Sequence, residues 1–178
     1  MRLSVIGLIL TLALCLAPSP SHAQAVAKIQ AQVLVPILQA FRAELGEERA
    51  NRIAWQALAQ WRRETARGIA AELPGSPREK WQEAMAASLP LIGDSVDFDM
   101  LKQSEEALDF NITGCRFAEF FRHLGEPELG FALLCSFDDT MAEEIGTGEV
   151  ELKRTGTIMQ GAQHCDFRYA LRGRVATK

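Results

Sequence analysis

The sequence predicts an α+β fold, with a helical N-terminal layer packed against a small, mostly antiparallel sheet. Three observations carry this expectation. From Ala25 to Leu73 apolar residues recur at three- and four-residue steps, the period of amphipathic helices. From Leu108 the pattern changes to alternation, with Leu108, Phe110 and Ile112 interleaved by Asp109, Asn111 and Thr113. Two short helical stretches and two further strand-like runs follow, which gives a β-α-α-β-β C-terminal unit.

The elements follow in order. Val26, Ile29, Val33, Ile37 and Phe41 form one stripe on a first helix, with Pro36 placed to kink or break it and Gly46 to end it. Glu47 and Glu48 open a second helix, where the positive end of the helix dipole favours acids. Ile53, Ala57, Leu58, Trp61, Thr65 and Ile69 mark its apolar face, leaving Arg62, Arg63 and Arg67 for solvent. Pro74-Gly75 stops it. Ser76-Pro77-Arg78-Glu79 combines a hydroxyl cap, a first-turn proline and an acid at the third position, and starts a helix to about Leu89. The three tryptophans, Trp55, Trp61 and Trp81, all fall in this half and are expected in the core. After the strand at Leu108–Thr113, Phe117, Phe120, Phe121 and Leu124 fit one face of a helix closed by Gly125. Glu126-Pro127-Glu128 starts another, carrying Leu134, Phe137, Met141 and Ile145 inward and ending at Gly146. Val150–Lys153 and His164–Arg172 complete the sheet.

The 178 residues are 48% hydrophobic and 24% charged, a composition too apolar for a disordered chain. The net charge of −4 excludes the basic excess of a typical nucleic-acid binder. Residues 24–105 carry 10 Lys/Arg against 11 Asp/Glu and residues 106–178 carry 8 against 12, so neither half offers a polybasic arm. At the N-terminus Arg2 precedes the apolar run Leu3–Ala17, Pro18-Ser19-Pro20 breaks it, and Ser21-His22-Ala23 supplies small residues at a cleavage site. Residues 1–23 therefore read as a signal peptide and 24–178 as a single domain, exported to the periplasm or secreted, with no stable membrane insertion after cleavage. The partner expected is a small-molecule substrate rather than nucleic acid.

Cleavage would leave Cys115, Cys135 and Cys165. One disulfide with a free thiol, three metal-bound thiolates such as a zinc site, and a reactive thiol are all open. Cys115 follows Thr113-Gly114 at a helix start, where the dipole and Arg116 favour its thiolate. Cys135, Asp138 and Asp139 stand at i, i+3 and i+4, one turn apart on a helix. Cys135 with Asp138 is the stronger pair, while Asp139 reads as part of a solvated acidic turn. In His164-Cys165-Asp166, strand alternation turns His164 and Cys165 to opposite faces, so the two cannot form a catalytic pair with each other without a bulge. Phosphate-cradling glycine loops, H-E-x-x-H, G-x-S-x-G and C-x-x-C are all missing.

Four blocks are jointly specific: Cys115-Arg116-Phe117, Leu134-Cys135-Ser136-Phe137-Asp138, Arg154-Thr155-Gly156-Thr157 through Gly161, and Cys165-Asp166-Phe167-Arg168. This ordered set, about 60 residues long, resembles the L-2-amino-thiazoline-4-carboxylic acid hydrolase family. Arg116 departs from the family pattern, in which proline often follows the first cysteine, and the export signal is a second departure. The spread of three cysteines also faintly resembles the vinyl-reductase-type ligand-binding domain, a sensor module. The first resemblance implies hydrolytic opening of a cyclic, isothiourea-like ring to give N-carbamoyl-cysteine. Such chemistry needs a nucleophile, a proton donor and a cation for the substrate carboxylate. The residues that the resemblance offers are Cys115, Cys135 or Cys165 as thiolates or metal ligands and Asp138 as base or ligand. Arg154, Arg168 and His164 are offered for binding substrate. Thiol attack and metal-activated water are both open, as is a non-enzymatic module that binds a small molecule or a metal.

Overall fold

A computed structural model describes residues 21–173. The expected signal segment thus lies mostly outside the described residues, and Ser21-His22-Ala23 begins the first helix. That helix, α1, spans His22–Leu45 and starts at Ser21, whose Oγ accepts from the Gln24 amide at 3.2 Å. The expected break at Pro36 does not occur, and the helix runs on to Gly46. Gly46 takes a positive φ of 79°, which favours glycine, and lets α2 (Glu47–Glu72) start at once. Helix α3 (Pro77–Ile92) begins with the expected capping box between Ser76 and Glu79 and runs past Leu89.

The sheet has one strand more than the C-terminal unit predicted. Strand β1 (Val96–Gln103) forms a hairpin with β2 (Ala107–Cys115), and the order across the sheet is β1-β2-β4-β3, antiparallel throughout. Strands β3 (Val150–Lys153) and β4 (Cys165–Leu171) lie within a residue of the expected positions. Between β2 and β3 come α4 (Arg116–His123), α5 (Pro127–Gly130) and α6 (Ser136–Glu144). The helix expected from Glu126 to Gly146 is thus divided, because residues Phe131–Cys135 form a wider π-helical step between α5 and α6.

Two apolar clusters hold these layers together. One sits between the sheet and α2, α3 and α6, and buries Ala66, Trp81, Met141, Ile145, Phe167 and Tyr169. The other joins α1 to α4 and α5 through Ala27, Ala31, Ala118, Phe121 and Leu129. Small residues let the backbones approach there: a Cβ on Gly130 would stand 2.6 Å from Phe121 Cγ. This seam overturns the expectation for α1. Its buried positions are Ala27, Ala31 and Leu38, and the bulky stripe from Val26 to Phe41 faces outward. Arg62, expected in solvent, is buried on α2 and donates to the Ala132 carbonyl. Trp81 is buried and Trp55 packs against the second cluster, whereas Trp61 is exposed.

Candidate functional site

The sheet and the loop after β3 place Arg154. Residues 154–157 leave β3, and the loop is pinned by Asp166 at the head of β4. The Asp166 carboxylate accepts from the Thr155 amide at 2.9 Å, the Thr155 hydroxyl at 2.7 Å and the Gly156 amide at 2.8 Å. Burial pushes the Asp166 carboxyl up, but these hydrogen bonds outweigh it and hold the carboxyl down at about 2. This explains the R-T-G and C-D blocks together: the aspartate shapes the loop that presents the arginine.

Arg154 itself is 5% exposed and makes three hydrogen bonds. Its guanidinium donates to Asp138 at 2.9 Å, to Asp139 at 2.5 Å and to the Cys135 carbonyl at 2.9 Å. It also lies over the Phe167 ring, 5.0 Å from the centroid. The Cys135 carbonyl, at the end of the π-helical step, and both aspartates, in the first turn of α6, thus meet the same cation. Asp139, read from the sequence as part of a solvated turn, is therefore a full partner. Burial raises the Asp138 carboxyl to about 6, with the Arg154 charge and hydrogen bond pulling the other way.

The three cysteines surround this arrangement without closing on a common centre. Cys115 ends β2, Cys135 ends the π-helical step and Cys165 opens β4, where its Sγ accepts from the Ile158 amide at 3.2 Å. Each thiol is free, and a charge on Cys115 would be felt at both Cys135 and Cys165. All three are pushed up by burial, Cys135 furthest. This corrects the expectation for Cys115. The amides of Phe117 and Ala118 do stabilise its thiolate, but burial wins, and Arg116 turns away to Asp97 at 3.4 Å. Among the described residues no group of three His, Cys, Asp or Glu side chains is gathered as a metal site requires, so the thiols do not fit a shared zinc.

The expected substrate-binding residues divide. Arg154 belongs to the ion-pair cluster. Arg168 faces the other side of the sheet, donating to the Phe110 and Phe167 carbonyls and to Asn111 Oδ1 within 2.9 Å, which makes it a brace of the β2–β4 pair. His164 is exposed just before β4.

Beside Arg154 the core holds polar atoms that sequence reasoning assigned to packing. The Tyr169 hydroxyl and the Trp81 indole N–H are buried without a hydrogen-bond partner among the described residues, and their rings lie 4.7 Å apart. Tyr169 feels the charges of Asp138 and Arg154, so it borders the same site. The alternation Cys165, Phe167, Tyr169 contained this signal, since it put the phenol on the face of the cysteine. None of these side chains lines the open cleft of about 530 Å³ between Gly75–Pro77 and Thr147–Glu149.

Fold and site together define an α+β protein in which a buried arginine joins two aspartates and a thiol-bearing turn at the end of a small sheet. The chain belongs to the L-2-amino-thiazoline-4-carboxylic acid hydrolase family, whose model matches residues 26–169. No curated protein matches it significantly. Among solved structures it is similar to the phenol-responsive sensory domain of the transcription activator PoxR, solved with phenol, at a TM-score of 0.40 and 12% identity, over 78% of this chain and 72% of that one. Among the described residues no helix is long and apolar enough to cross a membrane.

Proposed function

We propose that the protein is a hydrolase that opens a small thiazoline or cyclic amidine ring, the chemistry for which its family is named, and that Asp138 moves the protons. The observation that carries this reading is the placement of Asp138, still 34% exposed and hydrogen-bonded to the buried Arg154, where burial raises its carboxyl to about 6. A carboxyl near neutrality can take a proton and return it within one turnover. Asp138 takes a proton from water as its oxygen bonds to the amidine carbon. The carbon–nitrogen π pair moves onto the ring nitrogen, which takes up the remaining hydroxyl proton as the carbonyl forms. The carbon–sulfur bond breaks with its electron pair on sulfur, and the departing sulfur takes the first proton back from Asp138, leaving a carbamoyl group and a thiol. Water is favoured over a protein thiolate because burial raises all three thiols. A substrate carboxylate would reach Arg154 by displacing Asp139, the more exposed of its two partners.

A second reading, a small-molecule-binding module without catalysis, is favoured by the unpartnered Tyr169 hydroxyl and Trp81 N–H, which a polar ligand could satisfy. Under either reading we place the protein outside the cytoplasm, as one domain over residues 24–178 after cleavage near Ala23.

Ring opening of 2-amino-thiazoline-4-carboxylate separates the two. Wild type should turn over, and Asp138→Asn should lose about 100-fold in kcat, about 2.7 kcal/mol of barrier, while remaining folded. Cys115→Ser, Cys135→Ser and Cys165→Ser should each keep most of the activity. A wild type inactive on this substrate and its ring analogues removes the hydrolase and leaves the binding module. A 100-fold loss in Cys135→Ser with an unaffected Asp138→Asn overturns the assignment of the proton carrier.

A further inference from the structure

Helix α1 turns a stripe of bulky apolar side chains away from the protein. Val26, Ile29, Val33, Ile37, Phe41 and Leu45 are each 39–62% exposed, and they recur at three- and four-residue steps along a helix about 36 Å long. No charged residue lies between Lys28 and Arg42. Solvated helix faces normally carry charges, and a continuous apolar stripe marks a surface that something covers.

A lipid surface would need basic residues flanking the stripe. Both nearby cations are turned towards the protein instead. Lys28 lies over the Phe120 ring, 5.9 Å from its centroid, and Arg42 bonds Glu126 at 2.7 Å and Asn51 at 2.8 Å. The net charge of −4 also repels an anionic bilayer.

We propose that this face binds a second copy of the chain, α1 against α1, antiparallel about a two-fold axis at Val33. Residues equally spaced on either side of Val33 then meet: Ile29 opposite Ile37 and Val26 opposite Ala40, all of them exposed. The self-complementarity is what a two-fold contact requires. A parallel arrangement would set Glu44 against Glu44, whereas the antiparallel one holds the two glutamates at opposite ends of the contact. Large side chains present roughly 150–250 Å² when fully exposed, so the stripe offers about 500 Å² per copy and two copies bury about 1,000 Å², the threshold for a specific interface before its polar rim is added.

Light scattering on the purified mature chain, from low to high micromolar concentration, tests this. Wild type should reach the mass of a dimer, and Val33→Asp should remain a monomer with an unchanged circular dichroism spectrum. Under mild oxidation Val33→Cys should give a covalent dimer, and Gln39→Cys, on the flank of α1, should give no more than wild type. A wild-type monomer at every concentration overturns the proposal, as does a dimer untouched by Val33→Asp or crosslinking equally strong from Gln39→Cys. A monomer that sediments with anionic phospholipid vesicles assigns the face to lipid and also overturns it.

Discussion

Around Asp166 two backbone amides and a threonine hydroxyl supply the hydrogen-bond donors; around Asp138 a single guanidinium does, shared with a second carboxylate. The two aspartates belong to the same half of the molecule, and both are tied to the Arg154-Thr155-Gly156 loop. Yet three short donor contacts from that loop hold one carboxyl at about 2, while burial against a shared cation lifts the other to about 6. The difference separates architecture from chemistry. A carboxylate that is saturated by amides and a hydroxyl is fixed in its charged form and shapes a loop. One that competes with a neighbour for one arginine stays responsive to its surroundings.

The comparison breaks most visibly at the residue that both regions serve. Arg154→Met would leave Asp138 and Asp139 facing each other and the Cys135 carbonyl without its donor. We expect a loss of about 2–3 kcal/mol in chemical denaturation, below the range for a fully buried pair because both carboxylates reach solvent. Asp166→Ala removes the acceptor for Thr155 and Gly156, and should cost about 1–2 kcal/mol and loosen the loop without eliminating the Arg154 cluster. A loss larger than that of Arg154→Met would mean that the loop, not the ion pair, dominates this end of the fold.

Smaller effects distinguish the two carboxyls by sign. Asp166 is depressed from its unfolded value near 3.8, so it contributes stability above that pH, lost as pH falls through about 2. Asp138 is raised, so its contribution is present below about 3.8 and lost as pH rises through about 6. Between pH 4 and 6, wild type should therefore lose stability relative to Asp138→Asn. Relative to Asp166→Asn, it should lose stability only below pH 4. Denaturant midpoints measured from about pH 2 to 7 show both trends, and a common sign for the two variants would contradict the comparison.

Much of this was legible in the sequence. Period-two alternation located β2, β3 and β4, the Ser76–Glu79 box fixed the start of α3, and the four motif blocks contain Cys135, Asp138, Arg154 and Asp166. Strand β1 also carried a readable pattern, since Val96, Phe98 and Met100 alternate with Asp97 and Asp99. What was not legible depends on packing. Helical spacing cannot reveal that Phe131–Cys135 forms a wider turn, nor that the loop after β3 brings Arg154 to Asp139, which makes it a partner rather than a solvent acid. Nor can periodicity tell which of two stripes on α1 faces inward. The alanines won because they allow close approach, and the bulkier stripe was left outside. The dipole argument for Cys115 was sound in direction but smaller than the effect of burial.

The most direct test is a carbon-detected NMR titration of the Asp138 and Asp166 side-chain carboxyls in the folded wild type. Asp138 should titrate with a midpoint near 6 and Asp166 near 2. An Asp138 midpoint at or below the ordinary aspartate value of about 3.9 would show that the arginine outweighs burial, and would contradict its role as the proton carrier.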